Sequence, residues 1–138
     1  MNEYRYEDIE VGHKESFTVT VTEEMMASFR DMTGDVNPLH NDEEYALSKG
    51  HRGCVAFGML TASFLSTLAG VYLPGRRSLI HEVKIKFAKP VYVGDQLTVE
   101  GIVEEKNDTY SLLMVKVTIR NGGGDKVCRA KMQIGVDS

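Results

Sequence analysis

In the stretch TGDVNPLH (33–40), an aspartate, an asparagine, a proline and a histidine follow one glycine within six residues. A carboxylate and an imidazole held close together can share one water and act on it as general base and acid. Asp35 and His40 stand five positions apart, which is about 16 Å in an extended chain and a divergent pair of directions on a straight helix. They meet only if the chain between them turns. Gly34 admits unusual φ, Asn37 can close an Asx-turn, and Pro38 fixes its own φ while driving Asn37 out of the α region. The same residues also suit a plain turn, in which Asp35 and Asn37 only shape the bend and His40 is a surface group. On this stretch alone both readings stand.

A second feature lies at VAFGML (55–60), where a glycine opens a long apolar segment. The first N–H groups of a helix have no intrahelical partner, and the dipole there favours negative charge. Gly58 would let a ligand approach that backbone closely, so its N–H can hold a developing oxyanion. The plainer alternative is that Gly58 merely relieves crowding at a helix start.

Elements must exist to position these groups. SFTVTV (16–21) alternates apolar and hydroxyl residues as a strand does. Thr22 caps a helix over 23–32, with Met25, Met26 and Phe29 on one side and Gly34 at its end. Asp42 caps a short helix over 43–49, stopped by Gly50. GMLTASFLSTLAGVYL (58–73) has no charge and is apolar or small on every face, the pattern of a buried helix. It would be a rod of roughly 24 Å, too short for a membrane span of about 20 residues.

From there the period changes to two. Val83, Ile85 and Phe87 alternate with lysines, KPVYVGD bends the chain, and Leu97–Val103, Leu113–Ile119 and Cys128–Val136 alternate in turn. NGGGD (121–125) is a hairpin signal. Four antiparallel strands with one apolar face must bury that face, and helix 58–73 is the only element apolar enough to receive it. The fold class is α+β, an antiparallel sheet wrapped round a central helix in the hot dog arrangement, with residues 1–138 as a single domain.

Composition narrows the function. A net charge of −4 argues against a nucleic-acid binder. Two cysteines, Cys54 and Cys128, are too few for a disulfide framework, and the acidic N-terminus has no signal-peptide core, so a cytoplasmic setting with no membrane partner is expected.

D-x-N-P-L-H followed by G-M-L, a serine-bearing helix and KPVYVGD (89–95) resembles the MaoC-like (R)-specific enoyl-CoA hydratases, and the likeness runs along essentially the whole chain. The resemblance implies (R)-specific hydration of trans-2-enoyl thioesters, and the reverse dehydration, without a cofactor or metal. It makes Asp35 and His40 the catalytic pair and Gly58 the oxyanion donor, with Asn37 supporting the loop and Ser66 near the site. Phe57 stands where the family often has a histidine, giving a more apolar pocket. The implied carrier is CoA or acyl carrier protein, and the implied assembly is a homodimer.

Other chemistries fit less well. His40, His51 and Cys54 have no compact zinc spacing. Neither Cys54 nor Ser66 sits in a recognised nucleophile motif. Arg76, Arg77, Lys84, Lys86 and Lys89 can meet CoA phosphates or form the solvated face of a strand. An acyl-CoA thioesterase or a non-catalytic acyl-thioester-binding module would share the fold.

Overall fold

The computed structural model describes all 138 residues. Five strands are present: β1 (Lys14–Thr20), β2 (Ser78–Phe87), β3 (Gln96–Asn107), β4 (Leu112–Arg120) and β5 (Lys126–Val136). The helices are α1 (Glu23–Thr33), α2 (Pro38–Asn41), α3 (Glu43–Ser48) and α4 (Gly58–Thr67). The strands make one antiparallel sheet in the order β1-β3-β4-β5-β2. No helix is long and apolar enough to cross a membrane.

The helix ends follow local chemistry. Thr22 Oγ1 accepts the Met25 N–H at 3.1 Å to start α1, which ends where Gly34 turns to φ 74°. Asp42 Oδ1 accepts the Tyr45 N–H at 3.2 Å to start α3. The residues from Pro38 to Asn41, expected only to bend, form the helical turn α2, because Asn37 Oδ1 accepts the Leu39 N–H at 2.9 Å and Pro38 fills the first helical position.

The four later strands are consecutive in sequence but not all neighbours in space. β2 pairs only with β5, while β3 pairs with β1 and β4. No hairpin joins β2 to β3, because the intervening chain is tied elsewhere. The Ala88 N–H donates to the Val127 carbonyl at 2.8 Å, and the Val91 carbonyl accepts from the Ala56 N–H at 2.7 Å. The Gly94 N–H then donates to the Val21 carbonyl at 2.7 Å, delivering β3 beside β1. This crossing strap closes one end of the sheet directly over the segment that leads into α4.

The core lies between the concave face of the sheet and α4. Val99, Val103, Leu113, Val115, Val117, Ile119, Met132 and Ile134 are buried against Leu60, Phe64, Leu65 and Leu68. Gly101 marks the closest approach: a Cβ there would lie 2.7 Å from Leu68 Cδ2 and 3.2 Å from Val115 Cγ1.

Two expectations about segment 58–73 need correction. It is not one α-helix, for Leu68–Tyr72 widens to a π-helical turn in which the Leu73 N–H donates to the Leu68 carbonyl at 2.8 Å. That turn leaves Leu68, Ala69 and Leu73 all fully buried. Nor is the helix covered on every side. Met59 is 63% exposed, and Ser63 and Ser66 are exposed with it, because a single sheet wraps only one flank.

Candidate active site

α1 ends on a left-handed glycine, so the chain leaves it at an angle and Asp35 begins a compact loop. The Asp35 N–H donates to Thr33 Oγ1 at 3.3 Å, and Asp35 Oδ1 accepts the Asn37 N–H at 3.2 Å. Its other oxygen has no partner within the chain. Asn41 ties the loop together: its Nδ2 donates to the Asn37 carbonyl at 2.8 Å and the Asp35 carbonyl at 3.4 Å. Its Oδ1 accepts from Arg30 Nη1 at 3.1 Å, fastening the loop to α1. Asn37 itself therefore shapes the loop and caps α2.

His40 is fixed from two directions. Its Nδ1 lies 2.6 Å from the Val55 carbonyl oxygen. A carbonyl only accepts, so the Nδ1 proton is assigned by its partner, and in the neutral ring Nε2 carries a bare lone pair. The imidazole packs on Phe57 at a centroid distance of 4.5 Å, and Phe57 on Phe29 at 4.7 Å. Phe57, 1% exposed, is thus the wall that holds the imidazole.

Gly58 opens α4. The residue before it, Phe57, makes no side-chain cap, so the N–H groups at this helix start lack the partner that Ser, Thr or Asp would supply. The position a Gly58 Cβ would occupy faces the Phe87 ring at 3.4 Å.

These groups converge. Asp35, His40, Phe57 and Gly58 line one hollow of 520 Å³, together with Phe29, Thr33, Met59 and Phe87. A second hollow of 310 Å³ shares His40, Gly58 and Phe87 and continues past Leu39, Val55 and Val91 to His51 and Lys89. Phe87, half exposed at the end of β2, stands between the two. Ser66 lines neither hollow; it is exposed on α4, about two turns beyond Gly58.

The competing groups are not arranged for chemistry of their own. The Cys54 thiol is pushed up by burial and then by the charges of Glu23, Glu43 and Asp42, the opposite of the shift that favours a nucleophilic thiolate. His51 turns its Nδ1 to the Tyr92 hydroxyl at 3.2 Å. No three His, Cys, Asp or Glu side chains gather as a metal cluster.

Sequence reasoning missed Asn41, the Val55 carbonyl and Phe87. Asn41 was findable, since a second asparagine four residues after Asn37 can satisfy the carbonyls that α2 leaves open. A backbone acceptor fifteen residues away carries no sequence signal.

A family model for the MaoC like domain matches residues 8–123. The chain is 36% identical over 105 residues to an (R)-specific enoyl-CoA hydratase of Rhodospirillum rubrum, covering 73% of each chain. It is 31% identical over 118 residues to the protein of the same description from Aeromonas caviae, covering 86% of this chain and 88% of that one. The fold superposes on an unliganded R-hydratase from Pseudomonas aeruginosa with a TM-score of 0.91 at 29% identity, covering 97% of this chain and 86% of the other.

Proposed function

This chain belongs to the MaoC-like domain family, and we propose that it is a hydro-lyase that adds water to trans-2-enoyl thioesters to give (R)-3-hydroxyacyl thioesters, and catalyses the reverse dehydration. The relatives named as enoyl-CoA hydratases support the reaction class and its stereochemistry. The observation that carries the residue assignment is the meeting of Asp35, His40 and the uncapped start of α4 around one hollow.

In this mechanism a water donates one hydrogen to the free oxygen of Asp35 and the other to Nε2 of neutral His40. The pair removes one proton as the water oxygen attacks C3. The C2=C3 electrons move onto the thioester oxygen, which accepts the Gly58 N–H, and the pair returns a proton to C2 on the same face. A neutral His40 has no Nε2 proton to give, so the proton delivered is one the pair has just taken. The two groups handle the proton as a pair rather than as a separately assigned acid and base.

The order of atoms in the substrate also sets its direction. With C1 at Gly58 and C3 at the dyad, the acyl tail runs into the hollow that Asp35 lines, toward Met59. The sulfur and its carrier, CoA or acyl carrier protein, leave past Phe87 toward His51 and Lys89. On this reading Ser66 lies along the tail, beyond the hollow, rather than at the reacting carbons.

The exposed apolar residues Leu79, Val83 and Phe87 on the unpaired edge of β2, with Met59 beside them, favour a second copy of the chain as the cover for this side. Sedimentation is expected to give a dimer, and a monomer across the working concentration range would remove that part of the proposal.

The deciding assay is incubation with a short trans-2-enoyl-CoA. Loss of the enoyl absorbance without free thiol, and an (R) product on chiral analysis, are expected. Release of free thiol would make the protein a thioesterase, and binding with neither change would make it a module without catalysis.

A further inference from the structure

The outer face of the sheet carries cations that neither the core nor the hydration chemistry uses. The strand register sets Lys84 of β2 directly opposite Lys131 of β5, and Lys131 directly opposite Lys116 of β4. Two residues along, Lys86 stands opposite Arg129. All five are exposed, and with Lys126 they line a shallow groove of 430 Å³. In a chain of net charge −4 this is a local reversal of sign.

Like charges directly opposite one another on neighbouring strands lower stability. Nearby carboxylates relieve only part of the repulsion. Glu82 lies 3.7 Å from Lys84 and Glu104 lies 3.6 Å from Lys131, both in exposed pairs that contribute little. Lys86, Lys116, Lys126 and Arg129 have no carboxylate within ion-pair distance. A face whose only task is to stay wet is better served by interspersed signs.

The patch is also small. Three strands about 4.8 Å apart make it roughly 10 Å wide. Glu82 flanks it along β2, and Glu104 and Glu100, both on the neighbouring β3, flank it across the strands. A bilayer or a nucleic-acid duplex would lay its own negative charge over those carboxylates. A compact ligand with two or three phosphates fits inside the rim, where ammonium groups and the Arg129 guanidinium can form charge-assisted hydrogen bonds to its oxygens. We propose that this groove is a binding site for a compact polyphosphate group of the kind a nucleotide carries, separate from the acyl-thioester site.

The test is calorimetric titration of the full chain with inorganic tripolyphosphate, and in parallel with ATP, at low ionic strength. Saturable binding of both is expected, weakening as salt is added. Lys116→Gln and Arg129→Gln remove cations that have no ion pair, so neither breaks a salt bridge. Each is expected to weaken binding roughly three- to tenfold. Lys116→Gln is also expected to raise the Tm of the unliganded protein by about 1–3 °C, the mark of a relieved repulsion. Failure of tripolyphosphate to bind at low salt, or unchanged affinity in both variants, overturns the proposal. So does preferential binding to anionic phospholipid vesicles that tripolyphosphate does not displace. None of these readouts depends on hydratase activity.

Discussion

The hydrogen bond between His40 and the Val55 carbonyl, at 2.6 Å, decides which ring nitrogen is left without a partner. The Asn37 N–H decides in the same way which Asp35 oxygen is committed and which is not. Asp35→Asn keeps the acceptor for that N–H, so its loop is expected to persist while kcat falls by about 10²–10⁴. Near-normal turnover in a folded Asp35→Asn protein would remove Asp35 from the mechanism. That Asp35, His40 and Gly58 would come to one hollow was legible in the sequence because their neighbours are residues with few other uses: a glycine that ends a helix, an Asn-Pro pair, and a glycine at the head of an apolar helix. Phe57 was legible as an apolar replacement but not as the surface on which His40 rests, since ring packing depends on a fold that brings residues 29, 40 and 57 together.

At the scale of elements, period-two patterning revealed every strand of the later half but not its partner. Nothing in the alternation of β2 distinguishes a neighbour in β3 from a neighbour in β5. That choice is made by backbone hydrogen bonds in the strap over 88–95, which the side-chain pattern does not encode. The uniform apolarity of segment 58–73 was similarly ambiguous, because the pattern of a helix buried by its own chain is also that of a helix left half open for another surface. The contact between α4 and the sheet is testable at Gly101. Leu68 is fully buried and Val115 nearly so, and neither has room to yield to an added methyl group. Gly101→Ala is expected to destabilise the fold by about 1–3 kcal/mol in denaturant unfolding. An unchanged midpoint would mean that α4 can shift off the sheet.

Across the whole molecule, the N-terminal turn is pinned to the far end of the sheet by Tyr6, whose hydroxyl donates to Asp108 Oδ1 at 2.6 Å. Burial, followed by this hydrogen bond and the Asp108 charge, pushes the Tyr6 hydroxyl from 10.0 up to about 12. The folded value lies above the unfolded one, so the stabilisation is fully present below pH 10 and is lost as pH rises toward 12. In Tyr6→Phe that part of the alkaline loss of stability is expected to disappear, as read from thermal unfolding between pH 9 and pH 12. An alkaline limb identical to that of the unaltered protein would show that the tyrosine does not report on folding.

The strand order carries a consequence in time. β3, β4 and β5 form a meander joined by two short turns, and such local pairings close early. β1 must find β3 by bringing Lys14 to Ile102, and β2 must find β5 by bringing Ser78 to Val136. Each of these distant closures carries a larger loop entropy. Asp35, His40 and Gly58 all lie in the stretch between β1 and β2, so they are strangers to one another until both edges have docked. On refolding, amide protection of the meander is expected to return first, and hydratase turnover last.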